Sequence, residues 1–304
     1  MSKVLISLID FNGSKNTLLC LDSLNKVKAE GFELNVVVVD NASNEKFQTE
    51  KEYKNFSLKI IRSETNLGFA GGQNLGIKYG LENGIDYFVI LNDDVILEEN
   101  FLLKLLKTFD KEKNCGIVSP KIYFAKGYEF HKERYDVKDL GNVIWYAGGK
   151  MDWQNMIAAH RGVDEVDKGQ YEKLEKTDFA SGCCAAIKRE VFEKVGLFDE
   201  KYFLYYEDND LSQRIKKAGF AIYYQPKAFL WHLNAGSAGG SGSSLQDYYI
   251  TRNRLLFGFK FASFKTKLAL IKESLRLMLA GRPWQKKGAV DYYLGRFGKG
   301  SYHG

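Results

Sequence analysis

The chain of 304 residues is 45% hydrophobic and 27% charged, enough apolar mass for one large α/β domain with appended helices and too much for a disordered chain. Its net charge of +6 is uneven: residues 252–304 hold 12 Lys or Arg against Glu273 and Asp291, or +10, while the first 251 residues sum to −4. No nucleic-acid motif accompanies the basic tail, so the expected partner is an anionic membrane surface rather than nucleic acid, with a merely solvated face as the plain alternative.

Residues 4–9 and 36–39 are short, nearly continuous apolar runs of β-branched type. A helical pattern through Leu18, Leu19, Leu21, Leu24 and Val27 separates them, giving a β-α-β opening. Further strands are expected at 58–61, 87–91 and 116–118, with helices at 71–82 and 98–109. Such alternation predicts a mostly parallel sheet covered on both faces. Residues 124–176 are charged and aromatic with weak periodicity; a strand pair around 145–153 is expected there, in an insertion beside the site. After Thr177 the pattern gives a strand, helices at 189–195 and 207–218, and strands at 221–224 and 229–232. Residues 234–244 are a Gly, Ser and Ala run that reads as a mobile lid or a passive linker.

Helices are expected again at 245–261 and 264–280. The second carries Phe264, Leu268, Ile271, Leu275 and Met278 on one stripe, flanked by Lys265, Lys267, Lys272 and Arg276. That pattern suits a helix packed on the domain, an oligomer interface, or a helix lying in a bilayer interface. Arg282-Pro-Trp-Gln-Lys-Lys287, Tyr292, Tyr293 and Arg296 add interfacial aromatics among cations. Cys20, Cys115, Cys183 and Cys184 have no metal-binding spacing and read as reduced thiols. The opening residues run into a strand pattern rather than a signal peptide, and no apolar run approaches the ~20 residues of a membrane span. The expected location is cytoplasmic, soluble or peripheral on the inner face of the membrane.

Three elements end in acidic or imidazole groups. The run 87–91 leads into Asn92, Asp93 and Asp94; the helix at 207–218 opens with Glu207, Asp208 and Asp210; the strand at 229–232 ends in His232. Each has a plainer reading alone, as a turn, a helix cap or a structural histidine. Together, at one edge of an α/β sheet, they suggest a metal site facing a general base. The first β-α turn, Ile9-Asp10-Phe11-Asn12-Gly13, lacks G-x-G-x-x-G, and no P-loop lysine motif occurs, so dinucleotide and P-loop chemistry are poor readings. Asp40 follows the second strand, placed to accept hydrogen bonds from a nucleobase or ribose or to form a turn. Asn66 to Asn74 supplies a glycine turn opening a helix.

The order of these motifs resembles the family 2 glycosyltransferases of GT-A fold, especially a bacterial rhamnosyltransferase-like branch acting in surface polysaccharide synthesis. The resemblance runs over nearly the whole chain, from the first strand through Val38-Val-Asp-Asn-Ala-Ser43, Leu91-Asn-Asp-Asp-Val95, Ser181-Gly-Cys-Cys-Ala-Ala186, Val195-Gly-Leu-Phe-Asp-Glu200, Tyr205-Tyr-Glu-Asp-Asn-Asp-Leu211 and Trp231-His232 to Tyr248-Tyr-Ile-Thr-Arg-Asn-Arg-Leu255. It implies a Rossmann-like, mostly parallel sheet in a catalytic domain over 1–245. The donor-binding half would cover about 1–120, the acceptor and base half 121–245, and a basic helical extension 246–304. It implies an inverting, metal-dependent transfer from dTDP-rhamnose or a UDP-sugar to a hydroxyl of a glycan or lipid-linked acceptor. Asp40 would meet the nucleobase with Ile9 and Phe11 beside it, Asn66 and Asn74 would line the donor, and Asp93 would reach the ribose. Asp94 and His232 would hold Mn²⁺ or Mg²⁺, Arg252 the diphosphate, and Asp208 the acceptor proton, with Ser181, Gly182 and Glu207 on the acceptor side. The aspartate-any-aspartate signature appears here as Asn92-Asp93-Asp94, without its first carboxylate. A non-catalytic scaffold or sugar-binding protein on a degenerate transferase fold is the alternative, needing neither metal nor base.

Overall fold

The computed structural model describes residues 1–233 and 242–303. Aliphatic strands build its centre: β1 (Ser2–Asp10), β2 (Phe32–Asp40), β3 (Ser57–Arg62) and β4 (Tyr87–Leu91) run parallel in the order β3-β2-β1-β4. Their near-continuous apolar runs suit strands covered on both faces. On one face lies a core of Val4, Ile6, Leu8, Leu21 and Val38; on the other, Leu5, Val37, Ile77 and Phe88. The connections supply those covers, through α1 (Ser14–Leu24) and α2 (Gly68–Glu82).

Beyond β4 the sheet becomes mixed. After β5 (Val95–Leu97) and α3 (Phe101–Lys111), β6 (Cys115–Phe124) joins the sheet without touching β4. The strand between them comes later in the chain, following β7 (Ile144–Tyr146), β8 (Gly149–Asp152), β9 (Ile157–His160) and β10 (Glu175–Lys176): it is β11 (Cys184–Lys188), antiparallel to both β4 and β6. Because β11 runs backwards, its beginning lies where the parallel strands end. Asn92 N–H accordingly donates to Cys183 C=O at 2.9 Å.

Past α4 (Arg189–Val195) and α5 (Glu207–Lys217), β12 (Ala221–His232) runs parallel to β6 and pairs with β5 near its end. The two strands expected at 221–224 and 229–232 are thus one strand; the register shift between Gln225 and Phe229 absorbs the Pro-Lys-Ala break. The strand pair expected at 145–153 is not a pair, since β7 joins β6 and β8 pairs with β9 in a separate two-stranded sheet. All four cysteines are buried and unbridged.

Three helices close the chain: α6 (Ser244–Phe261), α7 (Phe264–Ala280) and α8 (Pro283–Tyr293). The sequence pattern did not mark α8 as a helix, though Pro283 in its first turn and the Arg282 N–H donation to Gln285 Oε1 at 3.0 Å make a sound start. Leu255, Phe257, Leu270 and Ala289 from these helices share a core with Met151, Met156, Tyr202 and Tyr206. On α7, Leu270 and Ser274 face inward, while Phe264, Leu268, Leu275 and Leu279 are 77%, 52%, 51% and 82% exposed. Met278, expected on one stripe with Phe264, Leu268 and Leu275, packs toward the core while they face outward. No described helix is long and apolar enough to cross a membrane. Residues 234–241, most of the expected lid, lie outside the described residues.

Candidate active site

The first β-α loops are stitched together by short polar side chains. Asp10 and Asp40 end β1 and β2 in register, both buried. Asp40 accepts from the amides of Ser43 at 2.9 Å and Phe47 at 3.1 Å, and pairs with Arg62. These donations and the guanidinium hold its carboxyl below the usual range despite its burial. Asp10 accepts from the hydroxyls of Thr17 at 2.7 Å and Ser43 at 2.9 Å. Ile9 is half-buried against Gly72, and Phe11 is exposed at this edge.

Asp93 lies against this network, accepting from Thr17 Oγ at 3.1 Å. Burial first, then the neighbouring charges of Asp94 and Asp10, push its carboxyl from an ordinary 3.8 to about 7, with the Thr17 bond opposing. One residue on, Asp94 Oδ1 stands 3.0 Å from His232 Nε2, both side chains at most a tenth exposed. Their union follows from topology, because Val95 pairs with His232 where β5 meets β12.

Across β11, Asp208 stands in the first turn of α5. Its Oδ2 accepts from Gly182 N–H at 3.0 Å and its Oδ1 from Asn209 N–H at 2.7 Å. Burial raises its carboxyl, and those donations oppose the rise. Glu207 is raised well above the usual range by burial and by Asp208, and its Oε2 has no hydrogen-bond partner among the described residues. Asp210 is committed elsewhere, to Arg214 at 2.6 Å, Lys260 at 2.5 Å and Tyr202 at 3.2 Å. Of the three acids at this helix mouth, Asp208 is the hydrogen-bonded one beside the sheet edge. Ser181 is buried and accepts from Cys183 N–H at 3.2 Å. Gly182 therefore links the two acidic clusters: it donates to Asp208 and precedes the Cys183 that pairs with Asn92.

Three expected donor-side residues carry structural hydrogen bonds of their own. Asn74 is buried and clips the 198–200 loop to α2, accepting from Phe198 N–H at 3.0 Å and donating to Glu200 Oε1 at 2.9 Å. Asn66 caps its own turn, accepting from Gly68 N–H at 2.8 Å and Asn41 Nδ2 at 3.1 Å. Arg252 corrects the expectation of a diphosphate ligand: it is fully buried, with its guanidinium bound to the carbonyls of Tyr202 at 2.9 Å and Gly298 at 2.7 Å. Asp10, Thr17 and Arg62 were missed. Their one sequence signal is that β1 and β2 both end in aspartate. A cavity of about 500 Å³ lined by Lys150, Arg161, Thr177 and Lys216 contains none of the candidate residues.

A divalent cation fits the strand-end pair in donor chemistry. A carboxylate oxygen and an imidazole nitrogen face each other, and His232 Nδ1 is buried without a partner among the described residues. Those residues contain no group of three or more metal-ligating side chains, so ligation from the described residues would stop at these two. Mg²⁺ and Mn²⁺ commonly take one or two protein ligands and complete their shell with water and phosphate.

The sequence matches the glycosyl transferase family 2 model over residues 9–196. It is 26% identical over 221 residues to the low-salt glycan biosynthesis hexosyltransferase Agl10 of Haloferax volcanii, covering 72% of this chain and 66% of that one. It is 26% identical over 224 residues to the N-acetylglucosaminyl-diphospho-decaprenol L-rhamnosyltransferase of Mycobacterium tuberculosis H37Rv (69% and 70%), and 27% over 215 to the dTDP-rhamnosyl transferase RfbF of Shigella flexneri (70% and 64%). The chain thus spans about two thirds of the length of these relatives. Among solved structures, GalNAc-T7 with UDP, GalNAc and Mn²⁺ superposes with a TM-score of 0.62 at 17% identity, over 90% of this chain and 57% of that one. The mannosyltransferase PcManGT of Pyrobaculum calidifontis, with GDP-Man and Mn²⁺, gives 0.53 at 16% over 96% and 74%. The mixed sheet is that of the GT-A fold, and the chain belongs to glycosyltransferase family 2, with rhamnosyltransferases and a hexosyltransferase of glycan biosynthesis among its relatives.

Proposed function

We propose that the protein is an inverting glycosyltransferase moving a sugar from dTDP-rhamnose or a UDP-sugar to a hydroxyl of a glycan or lipid-linked acceptor in surface polysaccharide synthesis. The observation that carries this reading is the convergence of Asp94, His232 and Asp208 on one sheet edge, bridged by Gly182. In this reading Asp208 accepts the acceptor proton, and Gly182 with Asn209 holds the carboxylate oriented. As Asp208 takes the proton, the acceptor oxygen bonds to the anomeric carbon from the face opposite the breaking bond to the nucleoside diphosphate, which inverts that carbon. Asp93 meets the donor ribose, and the Asp40 and Arg62 pair shapes the nucleobase side beside Ile9 and Phe11. Asp94 and His232 hold Mn²⁺ or Mg²⁺, which when bound neutralises charge growing on the departing diphosphate. Ser181 and Glu207 border the acceptor side.

The outward stripe of α7 supports a peripheral attachment. Phe264, Leu268, Leu275 and Leu279 face outward and the exposed Lys265, Lys272 and Arg276 flank them, fitting an anionic leaflet that carries the acceptor. Vesicle flotation checks this: binding should need anionic lipid and fall with salt. Binding indifferent to lipid charge would return the stripe to an oligomer contact.

A panel of nucleotide sugars with Mn²⁺, read by thermal shift and then by nucleoside diphosphate release with acceptor, tests the activity. Stabilisation by one donor and release of its diphosphate are expected. Stabilisation without release from any donor would leave a sugar-binding protein in place of the enzyme.

A further inference from the structure

Arg252 and Asn253 are neighbours on α6, both fully buried. Asn253 Nδ2 lies 2.8 Å from each of three carbonyl oxygens, those of Tyr202, Leu204 and Tyr205. Arg252 donates to Tyr202 C=O at 2.9 Å and Lys201 C=O at 3.2 Å, and its Nε donates to Asn253 Oδ1 at 2.9 Å, so the two side chains brace each other. The rings of Tyr248 and Tyr249, set edge to face with centroids 5.3 and 5.0 Å from the guanidinium, also hold it.

What they grip is an unfavourable backbone. Phe203, Tyr205 and Tyr206 have φ of 65°, 68° and 73°, a left-handed region that bulky side chains avoid. Such a loop persists only where its surroundings over-determine it. Both ends of the loop reach the candidate site. Phe203 C=O accepts from Phe69 N–H at 2.7 Å and Ala70 N–H at 3.3 Å, at the start of α2. The approach is so close that a Cβ at Gly68 would strike the same carbonyl oxygen. Tyr206 leads directly into Glu207 and Asp208. Between the two ends, the Phe69 ring lies on Gly182, where a Cβ would meet it at 3.0 Å, and Gly182 N–H holds Asp208.

We infer that Arg252 and Asn253 are positioning residues that hold the 202–206 loop in its left-handed form, and so seat Asp208 against Gly182 and tie the base helix α5 to the donor-side helix α2. The inference rests on the proposed role of Asp208, and the clamp acts entirely through main-chain carbonyls.

The test uses the full chain with Asn253→Ala and the milder Arg252→Lys. Native-state hydrogen exchange is read first, because it needs no substrate. In Asn253→Ala the amides of Phe69, Ala70 and Gly182 should exchange at least about tenfold faster, with those of β1 and β4 unchanged. Transfer from the donor that wild type turns over is read second. Donor KM should stay within about twofold while kcat falls by on the order of ten- to a hundredfold, the cost of a misplaced catalytic group. Arg252→Lys, which keeps a cation and its N–H donors among the carbonyls, should lose less. Adding Asn253→Ala to Asp208→Asn should cost little more, since both act at one group. Unchanged exchange, unchanged kcat, or a fully multiplicative double variant would each overturn the inference. Wild type inert toward every donor would defeat the transferase reading instead, and exchange would still decide whether the clamp holds the loop.

Discussion

Two pairs of adjacent acids, one at a strand end and one at a helix mouth, solve the same electrostatic problem in different ways. Asp93 and Asp94 sit in a turn where the help comes from side chains: the Thr17 hydroxyl for one, the His232 imidazole for the other. Glu207 and Asp208 sit where it comes mainly from the main chain, to Asp208 from Gly182 and Asn209 and to Glu207 from its own amide alone. Two neighbouring carboxylates away from water resist ionising together, and hydrogen bonds choose which keeps its charge. At the helix mouth burial raises both carboxyls; the amide donations oppose the rise on Asp208, while Glu207 is raised well above the usual range. At the strand end, burial and the neighbouring charges raise Asp93 to about 7.

The contrast is sharpest at the helix mouth. Asp208→Asn should keep the fold and donor binding and lose at least about a hundredfold in transfer. Turnover above about a tenth of wild type, measured as nucleoside diphosphate release with acceptor, would break the assignment. At the strand end, Asp94→Ala and His232→Ala should each weaken Mn²⁺-dependent nucleoside diphosphate binding by about ten- to a hundredfold in calorimetry. The double variant should lose less than the product, because both serve one ion. Full activity in EDTA would remove the ion from the comparison.

Glu207→Gln should behave unlike Asp208→Asn. Burial disfavours the charge on Glu207 and its Oε2 has no hydrogen-bond partner among the described residues, so the neutral amide removes little: transfer should stay within about threefold of wild type and stability at pH 8 should not fall. A hundredfold loss would exchange the two roles. The smallest effect is expected for Asp93 in EDTA. The folded state keeps a proton on Asp93 between pH 4 and pH 7 that the unfolded chain releases, so this group's contribution to stability falls as pH rises through that window. Asp93→Asn should flatten the fall and raise the pH 8 melting temperature by ~2 °C or more. An unaltered pH profile would place the carboxyl in a wetter setting.

Much of this frame was legible in the chain. The strands β1, β2 and β4 are near-continuous apolar runs because both their faces are covered, and α3 shows its inward face as Leu102, Leu105, Leu106 and Phe109. β12 was harder, since a Pro-Lys-Ala bulge inside a strand reads as a turn. The acids were visible as residue types at element ends, but their division of labour was not. It depends on which amides face which oxygen, and Gly182 reaches Asp208 from 26 residues away. Arg252 misled for a similar reason: a basic residue after paired tyrosines looks solvent-facing, and nothing local announces that backbone carbonyls surround it.

The interleaving of β11 and β12 into the sheet also sets the order in which the site comes into being. Asp94 and His232 are 138 residues apart in sequence, and β12 is the last strand to enter. Non-local pairings of this span are expected to close late, after the loop entropy has been overcome. A chain still on the ribosome before residue 232 would hold the strand-end acids without their imidazole. With the proposed role of His232, metal-dependent nucleotide affinity would then reach full strength only once β12 is in place, making it a report on finished folding.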